Sequence, residues 1–267
     1  MTDYAALAPR LVGRVVVLIP AFNEAESVGG VVRRVPAAVG GVETATVVID
    51  DGSSDGTPER AEEAGAVVAR HEVNRGGGAA LRTGYALACE AGARAVVTLD
   101  ADGQHLPEEM PALVAPVLDG AADLVLGSRV LGSAEPGARA RELGIALFGR
   151  LVSLLVGRRF TDVSNSYRAT TCDLLAQLDL REDQFHASEL LIEAMARGAR
   201  TVEVPITVAG RSHGVTKKPT TLRYGMHFAR AIVMTRARSL GRRGGTSRGT
   251  DRTPPETGRP GAAPPRA

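Results

Sequence analysis

Asp100 and Asp102 are separated by one residue, directly after an apolar run and directly before Gly103-Gln104-His105. In an extended chain two carboxylates at this spacing point to one side, and in a turn beginning at Ala101 they converge. Converging carboxylates suit a hard divalent cation, Mg²⁺ or Mn²⁺, which takes oxygen ligands and often bridges one or two carboxylates to phosphate oxygens. Gln104 and His105 add an amide oxygen and an imidazole. The same residues also suit a capped turn before a helix, with Pro107 in its first turn. A second acidic cluster is Asp50-Asp51-Gly52-Ser53-Ser54-Asp55-Gly56-Thr57. There Asp55 reads as a cap for the following helix, and Asp50 and Asp51 read as acceptors for a nucleobase or ribose. Asn74-Arg75-Gly76-Gly77-Gly78 resembles a phosphate cradle at a helix start. It fits neither a P-loop nor a dinucleotide fingerprint, and a flexible turn accounts for it as well.

A scaffold must bring these clusters together, and the first 130 residues describe one. Short β-branched runs (Val15 to Ile19, Ala45 to Ile49, Val67 to Ala69, Ala95 to Leu99, Leu124 to Leu126) alternate with helical stretches near residues 24–35, 57–64, 77–91 and 107–118. Continuously apolar strands alternating with helices predict an α/β fold with a mostly parallel sheet covered on both faces. Ligands bind such sheets at the carboxyl ends of the strands. Pro20-Ala-Phe-Asn-Glu24, Asp50 to Ser53, Asp100 to Asp102 and Gly127-Ser-Arg129 all fall there. After residue 130 the order changes: long helices are expected over 138–156 and 220–240, part of another over 190–197, and strand material over 201–208, broken by Pro205. From Gly241 onward the chain is Gly, Pro, Thr and Arg with almost nothing apolar, which predicts a disordered basic tail.

Composition narrows the partners. Aromatic residues make up 3% and Trp is absent, which argues against a nucleic-acid platform of stacked rings. Residues 206–267 hold thirteen Arg or Lys against two acids, so this third favours a polyanionic partner or forms a solvated tail. Cys89 and Cys172 stand in no metal-ligand spacing and are expected as buried free thiols, in keeping with a reducing cytoplasm. No secretion signal is evident in residues 1–14. The most membrane-like stretch, Leu143 to Val156, is too short to span a bilayer.

Taken in order, Pro20-Ala-Phe-Asn-Glu24, Asp50-Asp-Gly-Ser-Ser-Asp-Gly-Thr57, Asp100-Ala-Asp-Gly-Gln-His105 and Gly127-Ser-Arg129 closely resemble inverting glycosyltransferase family 2. The likeness is strongest to its dolichyl- or polyprenyl-phosphate mannosyltransferase branch, over roughly residues 14–235. The resemblance implies a GT-A Rossmann-like catalytic domain over 14–240, with a nucleotide-sugar half (14–130), an acceptor half (131–240) and the tail 241–267. It implies that Pro20, Phe22, Asn23, Glu24 and Asp51, with Asp100, contact a GDP- or UDP-linked sugar. Asp100, Asp102 and Gln104 would surround Mg²⁺ or Mn²⁺, and Arg129 would face the phosphates. Phe185-His-Ala-Ser-Glu189 resembles a helical segment ending in an active-site Glu, and an exposed acid at a helix start is the alternative.

Arg211-Ser-His-Gly-Val-Thr-Lys217-Lys218 matches a segment of lipid-phosphate sugar transferases. Arg211 and Lys217 suit an anionic acceptor and the donor diphosphate. Polyprenyl phosphate is already ionised and needs no strong base, whereas a hydroxyl of a glycan or secondary metabolite would need one, for which Asp183 or Glu189 stands ready. The arginines flanking 143–156 and the basic C-terminal third suggest peripheral contact with the inner face of a membrane, although 143–156 also suits a core helix.

Overall fold

Alternation within the β-branched runs decides the architecture. In β1 (Val15–Ala21), Val15, Val17 and Ile19 join one apolar cluster and Val16 and Leu18 another, and all five are fully buried. A strand apolar on both faces must be covered on both. The computed structural model describes residues 4–134, 139–210 and 222–243, and they form one sheet between two layers of helices. The remaining strands are β2 (Ala38–Val39), β3 (Val42–Asp50), β4 (Val67–Arg70), β5 (Ala95–Thr98), β6 (Leu124–Ala134), β7 (Arg168–Thr170) and β8 (Thr201–Val208). Their order is β2-β3-β1-β5-β7-β6-β8, with β4 also on β3.

One face of the sheet carries α1 (Val28–Arg34), α2 (Thr57–Glu63) and α4 (Met110–Leu118). The other carries α3 (Gly77–Glu90), α5 (Arg139–Val156), α6 (Cys172–Leu175), α7 (His186–Ala196) and α8 (Leu222–Arg243). Strand β1 runs parallel to β3 and β5, β3 to β4, and β6 to β8, so the sheet is mostly parallel as expected. Strand β7 lies antiparallel between β5 and β6, and β2 pairs with β3 through Gly40-Gly41, whose φ of 58° and 76° suits a tight hairpin turn. No helix among the described residues is long and apolar enough to cross a membrane.

Three departures from the sequence reading have physical causes. Strand β7 has three residues, two of them the buried polar Arg168 and Thr170, so no apolar run announced it. Strand β6 does not stop at Leu126 but continues to Ala134, following β8 through a register shift between Ser128 and Ser133. Pro205 leaves β8 continuous because it sits opposite Ser128, beside that shift, where a missing ladder donor is tolerated.

The expectation of free thiols is overturned. Cys89, in the last turn of α3, and Cys172, at the start of α6, form a disulfide with Cα atoms 5.2 Å apart. Both helices pack on the same face of the sheet, which brings together cysteines 83 residues apart. Sequence spacing carries no trace of this. Cross-links closing loops of this size stabilise by ~2–4 kcal/mol. Cys89→Ser should therefore lower the melting temperature, and reductant should lower that of the wild type to match while leaving the variant unchanged.

Candidate active site

Strands β3, β1, β5 and β6 share one direction, so their carboxyl ends define one edge of the sheet. The chain-end clusters of the sequence reading meet there. Strand β1 delivers Pro20, half-buried and paired with Ile49, and Phe22, half-buried just beyond it. Asn23 adopts φ 53°, the left-handed region that Asn tolerates better than most residues. Its amide donates to Ser53 Oγ (2.9 Å) and its Oδ1 accepts from the Ser54 amide (3.0 Å). The Glu24 amide donates to Thr57 Oγ1 (2.8 Å), and the Ala25 amide to Asp55 Oδ2 (3.2 Å). The loops after β1 and β3 are thereby one hydrogen-bonded unit. Asp55 also accepts from the amide and hydroxyl of Thr57, the first residue of α2, but it is not the expected cap: Gly56, at φ 82°, holds the N-cap position, and Asp55 stands one residue before it in a local turn. Burial opposes its ionisation, but these hydrogen bonds outweigh that and hold its carboxyl below the usual range.

Asp51 is buried with both carboxylate oxygens occupied. The Arg75 amide donates to Oδ1 and Oδ2 (3.0 and 3.1 Å), the Gly76 amide to Oδ2 (2.7 Å), and His71 Nδ1 lies 2.7 Å from Oδ1. His71 in turn reaches Thr83 Oγ1 through Nε2 at 2.9 Å. Asp51 thus ties the end of β3 to the entry of α3. Asp50 is fully buried, accepts from the Ser53 amide (3.2 Å), and forms an ion pair with Arg70 Nε (3.1 Å).

The glycine run is not a phosphate cradle. The Gly78 amide donates to the carbonyl of Asp183 (2.7 Å), so the helix entry is filled by the segment before α7. Arg82 holds the same segment through Glu182 O (3.2 Å) and Asp183 Oδ1 (2.5 Å). Only glycine fits at 78, since a Cβ would stand 2.0 Å from Glu182 O. Gly78→Ala should force the 182–183 segment off α3 and destabilise the protein by about 1–3 kcal/mol, a loss that denaturant unfolding would measure.

Asp100 and Asp102 lie in the turn after β5. The Asp102 side chain is largely buried, and its Oδ1 accepts from the Gln104 amide at 3.0 Å. The Asp100 amide donates to His105 Nδ1 (3.3 Å), and the His105 ring lies 5.1 Å from that of the buried Tyr167. Gln104 is joined to the end of β8 from both sides: its Nε2 donates to Ala209 O (3.2 Å), and its own carbonyl accepts from the Ala209 amide (2.9 Å). Arg211 and Lys217 lie outside the described residues, in the stretch that begins just after Gly210. Residues 241–243 complete α8, and the rest of the expected tail is also outside the described residues.

Arg129 is engaged by a carboxylate that the sequence reading missed. Its Nε and Nη2 donate to the two oxygens of Asp162 (2.5 and 3.1 Å), and Nη2 also to Ser164 Oγ (3.1 Å). Asp162 is fully buried and faced by no other cation in an ion pair among the described residues. Glu203 holds this loop from β8, accepting from the amides of Thr161 and Asp162. Arg168 is buried with no ion-pair partner among the described residues and donates to the carbonyls of Val163, Asn165 and Ala187; burial pushes its pKa down to about 10. Glu189 is not an exposed helix-start acid. It is buried, accepts from the amides of Arg181 (2.9 Å) and Glu182 (2.8 Å), and pairs with Arg238 of α8 at 2.6 Å. Burial raises its pKa despite those bonds. His71 had one signal in the sequence, a polar residue directly after an apolar strand at the ligand edge; Asp162 had none, because its loop follows a helix.

A family model described as Glycosyl transferase family 2 matches residues 16–178. An undecaprenyl-phosphate mannosyltransferase of Micrococcus luteus is 35% identical over 220 residues, 76% of this chain and 87% of that protein. A polyprenol monophosphomannose synthase of Mycolicibacterium smegmatis is 35% identical over 216 residues, 76% of this chain and 80% of that protein. Among solved structures, glucosyl-3-phosphoglycerate synthase from Mycobacterium tuberculosis, in complex with Mn²⁺, UDP-glucose and phosphoglyceric acid, superposes with a TM-score of 0.66 at 25% identity, covering 90% of this chain and 85% of that one.

Proposed function

The chain belongs to glycosyl transferase family 2 and is a glycosyltransferase, and on that premise we propose that it moves a hexose from a nucleotide sugar to the phosphate of a polyprenyl phosphate. Residues 14–130 hold the GDP- or UDP-linked donor and 131–240 the acceptor. The observation that carries this reading is the pair of hydrogen bonds between Gln104 and Ala209. They tie the Asp100–Asp102 turn to Ala209, two residues before Arg211 in the chain, which supports a shared phosphate-binding role for the carboxylates and for Arg211 and Lys217.

Among the described residues no group of three or more His, Cys, Asp or Glu side chains is placed to hold a metal. Two carboxylates, one fixed by the Gln104 amide, nevertheless fit Mg²⁺ or Mn²⁺, which complete their shells with diphosphate oxygens and water. Asp100 and Asp102 would hold the ion, with the Gln104 amide oxygen beside them. When bound, it offsets the charge gathering on the leaving diphosphate. Pro20, Phe22, Asn23 and Glu24 line the nucleoside side of the cleft, and Asp51 shapes it by holding the 74–76 loop. Arg129 presents to the phosphates the guanidinium nitrogen that faces neither Asp162 nor Ser164. Glu189 positions the 181–183 segment. An acceptor phosphate oxygen attacks the anomeric carbon as its bond to the diphosphate breaks, which inverts the configuration and releases the nucleoside diphosphate. A bilayer-held acceptor places the enzyme peripherally at the cytoplasmic face of a membrane.

A hydroxyl acceptor is the second reading, favoured by Asp183, whose half-exposed carboxylate is held by Arg82 beside α3. Transfer from GDP-mannose, UDP-glucose and UDP-N-acetylglucosamine, with Mn²⁺ or Mg²⁺ and with or without a short polyprenyl phosphate, separates the two. Metal-dependent transfer only with the lipid phosphate supports the first reading. Donor hydrolysis that ignores the lipid and is lost in Asp183→Asn supports the second.

A further inference from the structure

Asp162 is fully buried, and the proposed transfer reaction leaves it without a part. A buried ion pair does little by itself to stabilise a fold, because withdrawing both charges from water offsets their attraction. What this pair does for Arg129 is geometric. Asp162 Oδ2 accepts from Arg129 Nε (2.5 Å) and from its backbone amide (3.3 Å). Asp162 Oδ1 and Ser164 Oγ both accept from Nη2, each at 3.1 Å. A planar guanidinium gripped through two nitrogens by one carboxylate holds a single orientation. Nη1 alone is left without a hydrogen bond among the described residues, in a side chain that is 14% exposed.

The backbone is built around the same contact. Strand β6 pairs Ser128 with Pro205 and Ser133 with Thr207 of β8, so residues 129–132 stand opposite Ile206 alone. A bulge beside a site re-aims the side chain it carries, and this one begins at Arg129. Ser128 Oγ accepts from the Leu131 amide (3.2 Å) across it. Gly132 lets it lie close on β8, since a Cβ there would stand 2.2 Å from Ile206 O. The Asp162 side is fixed as firmly. Glu203 of β8 accepts from the amides of Thr161 (2.9 Å) and Asp162 (3.1 Å) and from Thr161 Oγ1 (2.8 Å). Thr161 Oγ1 also lies 2.6 Å from Ser128 Oγ, which joins the loop to the bulge. Beyond Asp162, the carbonyl of the buried Val163 accepts from Arg168 Nη2 (2.9 Å) and Ser188 Oγ (3.1 Å).

We propose that Asp162 is a positioning residue for sugar transfer, acting through Arg129 and touching no substrate itself. It fixes the guanidinium so that Nη1 meets a substrate phosphate in one orientation, and Glu203 fixes Asp162 in turn. This rests on the reading of Arg129 as a phosphate-binding group. A misplacement of about 1 Å at such a contact can slow turnover roughly 10²-fold, and the two carboxylates prevent it.

The test is a double-mutant cycle on the full chain, with thermal unfolding of every variant measured alongside. Transfer is followed from GDP-mannose, UDP-glucose or UDP-N-acetylglucosamine to a short polyprenyl phosphate. Arg129→Ala should lower kcat/KM by roughly 10²-fold. Asp162→Asn should lower it at least about tenfold, because Nη1 loses its fixed direction. On the Arg129→Ala background Asp162→Asn should change it by less than about twofold, since nothing is left to position. A merely structural role would act on both backgrounds alike, so equal losses would overturn the proposal, as would wild-type activity in Asp162→Asn. Where Asp162→Asn does not fold, Glu203→Gln takes its place in the same cycle. It should lower kcat/KM severalfold in the wild type and leave Arg129→Ala unchanged, and equal effects on the two would again overturn the proposal. Wild-type activity in Arg129→Ala would withdraw the phosphate reading of Arg129 and this inference with it, whereas equal losses leave that reading standing.

Discussion

Replacing Asp102 with asparagine is expected to lower turnover by roughly 10²–10³-fold, the range seen when one electrostatic contact to developing charge is removed. Asparagine keeps the size of the side chain and an oxygen that accepts from the Gln104 amide, now the bond to Asp102 Oδ1 at 3.0 Å. The turn after β5 should therefore persist, with a melting temperature close to wild type. What is lost is the negative charge that the proposed function turns toward the cation and the diphosphate. The expected signature is a fall in kcat together with a higher Mn²⁺ or Mg²⁺ concentration for half-maximal rate. Unchanged rate and metal dependence in a folded Asp102→Asn protein would remove the metal assignment.

Asp51→Asn is expected to act on the fold first. The carboxylate accepts from two backbone amides and faces His71, all in a buried setting. Asparagine would turn one acceptor oxygen into an NH₂ group pointing at existing N–H donors, leaving buried groups unpaired. Breaking one side of a buried charged interaction costs about 3–5 kcal/mol, and in a protein of this size each kcal/mol moves the melting temperature by roughly 2–4 °C. Thermal unfolding should show a drop of around ten degrees, with a rise in KM for the donor at temperatures where the variant stays folded. A variant with wild-type stability and a changed preference among nucleotide bases would instead put Asp51 in direct contact with the base.

The contrast between these two aspartates marks what a sequence can disclose. The strands were readable because their apolar positions alternate between two buried faces, as Val15 to Ile19 do. The gathering of the candidate residues at one sheet edge followed from parallel topology, which brings strand ends together without any knowledge of side-chain contacts. Local contacts were legible only in part: Asp55 and Thr57, two residues apart, do bond to each other, but the cap of α2 is Gly56 rather than Asp55. Partners far apart in the chain were not. Asp51 and Gly76 are separated by 25 residues, Arg129 and Asp162 by 33, and Arg82 and Asp183 by 101. Each contact depends on how loops fold over the sheet edge, which periodicity does not encode. The glycine run is the clearest case. Its composition suggested a ligand, yet the close approach it permits is to the backbone of residues 182–183.

That close approach also bears on how such an enzyme can be re-engineered or diversify. The α3 entry of the first 130 residues is sealed by residues from beyond 130: Gly78 donates to the carbonyl of Asp183, and Arg82 grips the same segment. A chimera that exchanges everything after residue 130 for the corresponding part of a relative would import a foreign plug for this socket. Such hybrids should fold poorly unless residues 76–82 and 181–183 travel together, so acceptor specificity in this lineage would change through paired substitutions across that seam.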